Sequence, residues 1–316
     1  MAGPVTRVAV LKGGRSLERQ VSLRSGARVE DALGRLGHEA LAIDVGLDLI
    51  RRLRSAEPDV VFIAMHGRDG EDGTIQELLE ILGVPYTGSG VLACVRATDK
   101  VLAKHLMIEA EIPTPDFFAF SNTAFRELGA AEALGAIEER LEFPIVVKPS
   151  SQGSALGIKI AGSPADVPAA LVSAFSYDSK VLLERHVDGR DLAVSILDGE
   201  PLPVVEAAPV GDAFYDFQAR YEIGRTSFTC PADLPDGLTD QAQELALTTY
   251  RLLGCNAFAR IDLMLGANGR LTVLEANPIP GFTETSLLPQ AAEAAGINFN
   301  ALVERILELA LEPSAA

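Results

Sequence analysis

The segment Asn256–Pro278, NAFARIDLML-GANG-RLTVLEANP, constrains the fold more than any other part of the chain. Two runs of strand-forming residues flank a turn sequence, which marks an antiparallel hairpin. With Asn268-Gly269 as a two-residue turn, Ala267 faces Arg270, Asp262 faces Glu275 and Arg260 faces Asn277. Side chains alternate along a strand, so these last four share one face while Ile261, Leu263, Leu274 and Ala276 point into a core. Carboxylates placed opposite each other repel unless a cation lies between them. Oxygen donors of this kind suit Mg²⁺, usually together with substrate phosphates. The alternative is a solvated hairpin face on which Arg260 balances the two acids.

Upstream, IVVKPSSQGSALGIKI ends a strand on Lys148 and enters a loop rich in Gly and Ser. Backbone N–H groups in such a loop can cradle phosphate oxygens beside the lysine charge. No G-K-[ST] follows and no helix is expected there, so this is not a Walker loop; an ordinary glycine hairpin is the other reading. Gly88–Ala93 matches G-x-G-x-x-A, but a helix follows instead of a return to a parallel strand, which argues against dinucleotide binding. HGRDGEDGT puts His66 at the end of an apolar strand, where open α/β sheets bind ligands.

The first 88 residues alternate apolar strands (VAVLKGG, HEALAIDV, PDVVFIAMHG) with helices over about 22–36 and up to Gly83, the pattern of a parallel sheet covered on both faces. Residues 89–188 read as a small α+β unit with helices over about 98–110, 123–140 and 164–175. Residues 189–316 are richer in strands, with helices over about 239–253 and at FNALVERILELAL. The irregular aromatic stretch 211–230 is expected to be a mobile functional loop.

With 27 basic and 44 acidic residues the chain carries a net charge of −17, which argues against nucleic-acid or anionic-membrane binding. Cys94, Cys230 and Cys255 form no pair motif, and the four histidines have no zinc spacing. No apolar run reaches the roughly 18 residues of a membrane span. A cytoplasmic protein is expected.

Taken in order, GGRSLERQVSL, HGRDGEDGTIQ, YTGSGVLA with a following DK, VVKPSSQGS, FYDFQARY, CPA, ARIDLML, LEANPIPG and SLLP resemble the D-alanine–D-alanine ligases of the ATP-grasp superfamily. The resemblance spans residues 13–289. It implies an open parallel-sheet (pre-ATP-grasp) domain over 1–88 that binds D-alanine, then the two α+β subdomains of an ATP-grasp fold over 89–188 and 189–316. It further implies ATP-dependent joining of two D-alanines for peptidoglycan precursors, two Mg²⁺ ions (or Mn²⁺ in their place) and a homodimer.

By the same resemblance, Lys100 and Lys148 contact ATP phosphates, and Glu184 with the backbone after it holds the adenine edge. Phe214 and Leu274 pack on the ring, Asp191 lies near the ribose and Arg220 near the γ-phosphate. Asp262, Glu275 and Asn277 bind the metals, and Arg260 with the Gly281 backbone stabilises the oxyanion. Glu18 takes the first D-alanine's ammonium, in a triad with Ser154 and Tyr221, with Val21 and His66 lining the pocket. Ser286 and Leu287 receive the second D-alanine's carboxylate. Arg220 stands where the family usually has lysine, Asp191 where it has glutamate, and Pro278 where threonine is common. Tyr221 favours dipeptide over depsipeptide formation, and the intact charged set argues against a nucleotide-binding regulator that has lost catalysis.

Overall fold

The structure is a computed structural model and describes residues 5–210 and 224–312. Strands β1 (Arg7–Lys12), β2 (Glu39–Asp44) and β3 (Val60–Ile63) form a parallel sheet in the order β2-β1-β3. They alternate with α1 (Arg19–Leu36), α2 (Leu49–Ala56) and α3 (Thr74–Leu82). β1 and β3 are buried almost throughout, as continuous apolar strands between two helical layers must be. α1 starts three residues earlier than the apolar pattern indicates, so Glu18 stands at its N-cap position.

The helix expected over 98–110 is α5 (Lys100–Glu109), and a further helix, α4 (Val91–Thr98), precedes it. Asp99 separates them: its backbone is extended and its side chain accepts from the N–H groups of Val101 and Leu102, capping α5. Next come β4 (Phe117–Ser121), α6 (Asn122–Glu127), a short 3₁₀ turn and α7 (Leu134–Leu141). The helix expected over 123–140 is thus broken, at Gly129, which sits at φ +77°. Then follow β5 (Ile145–Pro149), β6 (Lys159–Ala161), α8 (Val167–Phe175) and β7 (Lys180–Arg185), giving an antiparallel sheet ordered β4-β7-β5-β6.

The last sheet holds β8 (Gly189–Leu197), β9 (Glu200–Pro201), β10 (Val205–Pro209), β11 (Thr226–Thr229), β12 (Phe258–Gly266) and β13 (Leu271–Asn277), with α9 (Leu238–Leu253) packed on it. Residues 226–229, within the stretch read as irregular, pair with β10. Residues 211–223 of that stretch lie outside the described residues. Helices α10 (Leu287–Ala294) and α11 (Phe299–Leu311) close the chain; the sequence reading had no helix at α10. The chain end returns to its beginning: Leu302 and Ile306 of α11 share one core with Val8, Phe62, Phe258 and Phe282.

The β12–β13 hairpin corrects the expected turn. Leu265 pairs with Leu271 and the Gly266 N–H donates to Arg270 O, so three residues, 267–269, form the loop. A bulge after Asp262 absorbs one residue of β13, which restores Asp262 opposite Glu275 and Arg260 opposite Asn277. It also reverses one inward assignment: Val273 is buried in the core, and Leu274 faces the cleft below.

Where β8 meets β12, a Cβ on Gly189 would lie 2.1 Å from the Leu265 carbonyl oxygen. The obstacle is paired backbone, which cannot rotate away. Gly189→Ala is therefore expected to cost on the order of 3 kcal/mol. An unshifted thermal midpoint would contradict this.

Candidate active site

A cavity of about 160 Å³ separates the two antiparallel sheets. Val146, Lys148, Ile158 and Glu184 form one wall; Asp191, Met264, Leu274 and Glu275 form the other. A larger groove of about 1040 Å³, between residues 110–116 and the 266–272 turn, shares the Arg185–Asp188 segment but is lined by none of the individually selected side chains. Convergent charge distinguishes the smaller cavity. The Lys148 Nζ, at the end of β5, donates to Glu184 Oε1 at 2.9 Å, and Lys104 Nζ lies 2.7 Å from Oε2. Burial pushes Glu184 toward protonation, but the two ammonium groups outweigh it and hold the carboxyl below its ordinary range. Burial pulls Lys104 down to about 8, against the opposing pull of Glu184. The Glu184 carboxylate is thus engaged by lysines, and the chain running on through Arg185–Gly189 lines the cavity beside it.

At the far end of this wall lies the hairpin face. Arg260 holds Asp262 through two bonds, Nε to Oδ1 at 2.6 Å and Nη2 to Oδ2 at 2.8 Å, the fork geometry only arginine offers. Lys100 Nζ stands 3.3 Å from Glu275 and donates to the Gln152 carbonyl in the Gly/Ser loop. Asn277 Oδ1 accepts from the Ile279 N–H. Each opposed carboxylate therefore already sits beside a cation, as their repulsion demands. Two carboxylates and an amide oxygen at one hairpin end form a hard donor set that fits Mg²⁺.

Glu18 lies at the start of α1 and is 2% exposed. Ser154 Oγ, 136 residues away on the Gly/Ser loop, donates to its Oε1. Oε2 is buried with no hydrogen-bond partner among the described residues. Gly67, at φ +69°, makes room for it, since a Cβ there would lie 2.1 Å from Oε2. Burial, then the nearby Glu71, raises Glu18 to about 7, while Ser154, His66 and Lys100 act in the opposite direction. His66 is fixed between Ser25 Oγ at 2.9 Å and the Ile279 carbonyl at 3.2 Å, with Glu71 at 3.5 Å. Val21 is buried on α1. Ser286 Oγ accepts from the Thr283 N–H at 2.9 Å, immediately before α10, whose first residue is Leu287. A side chain at Gly281 would meet Ser286 Oγ at 2.6 Å, so that loop folds tightly onto the helix start.

The fold thus gathers most sequence-selected residues around one cleft, with Lys100 and the Gly/Ser loop joining the Glu18 pocket to the hairpin. Phe214, Arg220 and Tyr221 lie outside the described residues. Glu71 and Lys104 were not singled out from the sequence. For Lys104 a signal existed: Lys100 and Lys104 stand four apart on a largely apolar helix, a repulsive pair unless acids face it. Among the described residues, no helix is long and apolar enough to cross a membrane.

Residues 106–308 match the family model for the D-ala D-ala ligase C-terminus and residues 50–89 that for the N-terminus. The chain is 42% identical to the D-alanine–D-alanine ligase of Moorella thermoacetica, covering 97% of this chain and 100% of that one. Identity is 44% with the ligase of Syntrophotalea carbinolica, covering 95% of each. The crystal structure of the Bacillus anthracis D-alanine–D-alanine ligase complexed with ATP superposes with a TM-score of 0.83 at 33% identity, over 98% of both chains. With both halves of the fold matched and relatives aligned end to end, the chain belongs to the D-alanine–D-alanine ligase family.

Proposed function

We propose that this chain joins two D-alanines into D-alanyl-D-alanine, converting ATP to ADP and phosphate, for peptidoglycan precursors in the cytoplasm. The observation that carries the reading is Glu18 Oε2, a buried carboxylate oxygen without a hydrogen-bond donor among the described residues, across the Gly/Ser loop from the lysines and the hairpin acids. Burial without a donor is costly, and a substrate ammonium supplies both donor and charge.

A carboxylate resists attack by an amine because its leaving group would be oxide. Transfer of the γ-phosphoryl group to the first D-alanine makes an acyl phosphate with a good leaving group. Glu18 would hold that substrate's ammonium, with Val21 and His66 lining the pocket and Tyr221 completing the triad with Ser154. Lys100 and Lys148 would face the phosphates. Leu274 and Phe214 would flank the adenine, Asp191 would meet the ribose, and Arg220 would approach the γ-phosphate. Because its carboxylate is engaged by two lysines, Glu184 would serve the adenine edge through the main chain that follows it. Asp262, Glu275 and Asn277 would hold two Mg²⁺, or Mn²⁺, which supply charge neutralisation for phosphoryl transfer. Ser286 and Leu287, at the start of α10, would take the second D-alanine's carboxylate, since a helix N-terminus favours an anion. The second amine then attacks the acyl carbon, and Arg260 with the Gly281 N–H would stabilise the oxyanion. The family resemblance supports a homodimer as the working form.

The purified protein, given ATP, Mg²⁺ and D-alanine, should release phosphate and D-alanyl-D-alanine in equal amounts. Phosphate release independent of D-alanine, or none at all, would reject the reading. Comparable yield of depsipeptide with added D-lactate would move the chain to the depsipeptide class.

The raised Glu18 pKa gives a pH signature. Only the ionised carboxylate pairs with an ammonium, so affinity for the first D-alanine should fall about tenfold per pH unit below about 7. Stability of the free protein should respond in the opposite sense. A carboxyl raised in the fold contributes stability that is fully present below its ordinary value near 4.5 and is lost as pH rises through about 7. A Glu18→Gln variant should lose both dependences; a D-alanine KM that stays flat from pH 5 to 8 in the parent would refute the assignment.

A further inference from the structure

Lys104 is a lysine in the wrong place for a surface residue. Its side chain is 0% exposed, on the same face of α5 as Lys100. The Nζ is 2.7 Å from Glu184 Oε2 and donates to Thr114 Oγ1 at 2.6 Å and to the Pro115 carbonyl at 3.1 Å. Two hydrogen-bond acceptors and one carboxylate thus surround the ammonium. Glu184 Oε1 in turn accepts from Lys148 at 2.9 Å, so Lys148, Glu184 and Lys104 form a buried row of charges, plus, minus, plus.

Stability alone does not require this row. Lys148 and Glu184 already make a neutral pair, and a methionine would fill the volume of Lys104 without desolvating a third charge. What the third charge changes is the field at Lys148. With one lysine only, Glu184 would direct its full charge at Lys148 and draw the ammonium onto itself. With two, that attraction is shared, and the row presents a net positive charge to the cleft. Thr114 extends the link across the cleft: its Oγ1 donates to the Val273 carbonyl at 2.9 Å, one residue before Leu274 on the opposite wall.

We propose that Lys104 is a positioning residue for the nucleotide phosphates, acting through Glu184 to keep Lys148 oriented and available to a polyanion without touching the ligand itself. The inference rests on the nucleotide reading of this cleft, and its test separates the two. The full-length protein is titrated calorimetrically with ADP in the presence of Mg²⁺, and separately with adenosine by competition.

For Lys104→Met, ADP affinity should fall about tenfold, the scale of one charge-assisted hydrogen bond. Adenosine affinity should stay within about twofold, because the phosphates alone feel the missing charge. Parallel loss of ADP and adenosine would mean that the pocket has collapsed and Lys104 is merely structural, which overturns the proposal. So would unchanged ADP affinity. A parent protein that binds no ADP would remove the nucleotide reading and the inference with it. If Lys104→Met does not fold, Thr114→Val decides. It deletes one acceptor of the ammonium, along with the Thr114 bond to the Val273 carbonyl, and should weaken ADP about threefold and adenosine less than twofold. Unchanged ADP affinity in that variant would overturn the proposal.

Discussion

Replacing Glu275 with glutamine should lower turnover by about 10³-fold or more while leaving the protein folded. Glu275 stands opposite Asp262 across the β12–β13 hairpin, two carboxylates face to face. In the free protein Lys100 sits 3.3 Å away and offsets part of that charge. Glutamine keeps the shape and removes the charge, so Asp262 loses a repulsive neighbour and Lys100 loses a partner; the fold tolerates both because the site is partly open to water. On the proposed metal role, binding of Mg²⁺ with ATP would need both negative charges, and glutamine offers no compensation for the lost one. ADP release measured by a coupled assay, beside a thermal melt, tests this. A variant that melts normally and keeps more than a few per cent of the parent rate would show that Glu275 is not a metal ligand.

Arg260→Lys should lower kcat by about 10²–10³-fold, with the KM for ATP changed only a few-fold. The substitution keeps one positive charge but loses the planar fork. Arg260 now meets both Asp262 oxygens through Nε and Nη2, an arrangement that fixes the guanidinium relative to the hairpin. A lysine ammonium can satisfy the aspartate only by turning its single charge centre toward it, which leaves nothing directed at a developing oxyanion. On the proposed oxyanion role the effect would fall on the second half-reaction, so phosphate release without dipeptide should rise relative to ligation. Equal losses in acyl-phosphate formation and ligation would place Arg260 in phosphoryl transfer instead.

The hairpin shows how a local sequence can yield the right site through a wrong turn. The expected two-residue loop is a three-residue loop, and the bulge at Leu274 restores the facing of Asp262 and Glu275. Burial exerted the control: a slipped register would have turned Ile261 and Ala276 out of the core, and the bulge costs less than that exposure. The helix expected over 123–140 fails for a different reason: helix-compatible sequence continues through Gly129, and only the left-handed backbone there stops the helix.

The sequence by itself determined the alternation of strands and helices, the parallel first sheet, and the sharing of one hairpin face by four polar residues. Each of these follows from a period of two or 3.6 residues, which is written along the chain. Only the tertiary structure decided which charges became neighbours. Glu18 meets Ser154 across 136 residues, and Glu184 lies between Lys104 and Lys148. No local period encodes such pairs. They arise when separate sheets dock and exclude water, and the same exclusion makes an unpaired charge costly enough that buried acids and lysines must find each other.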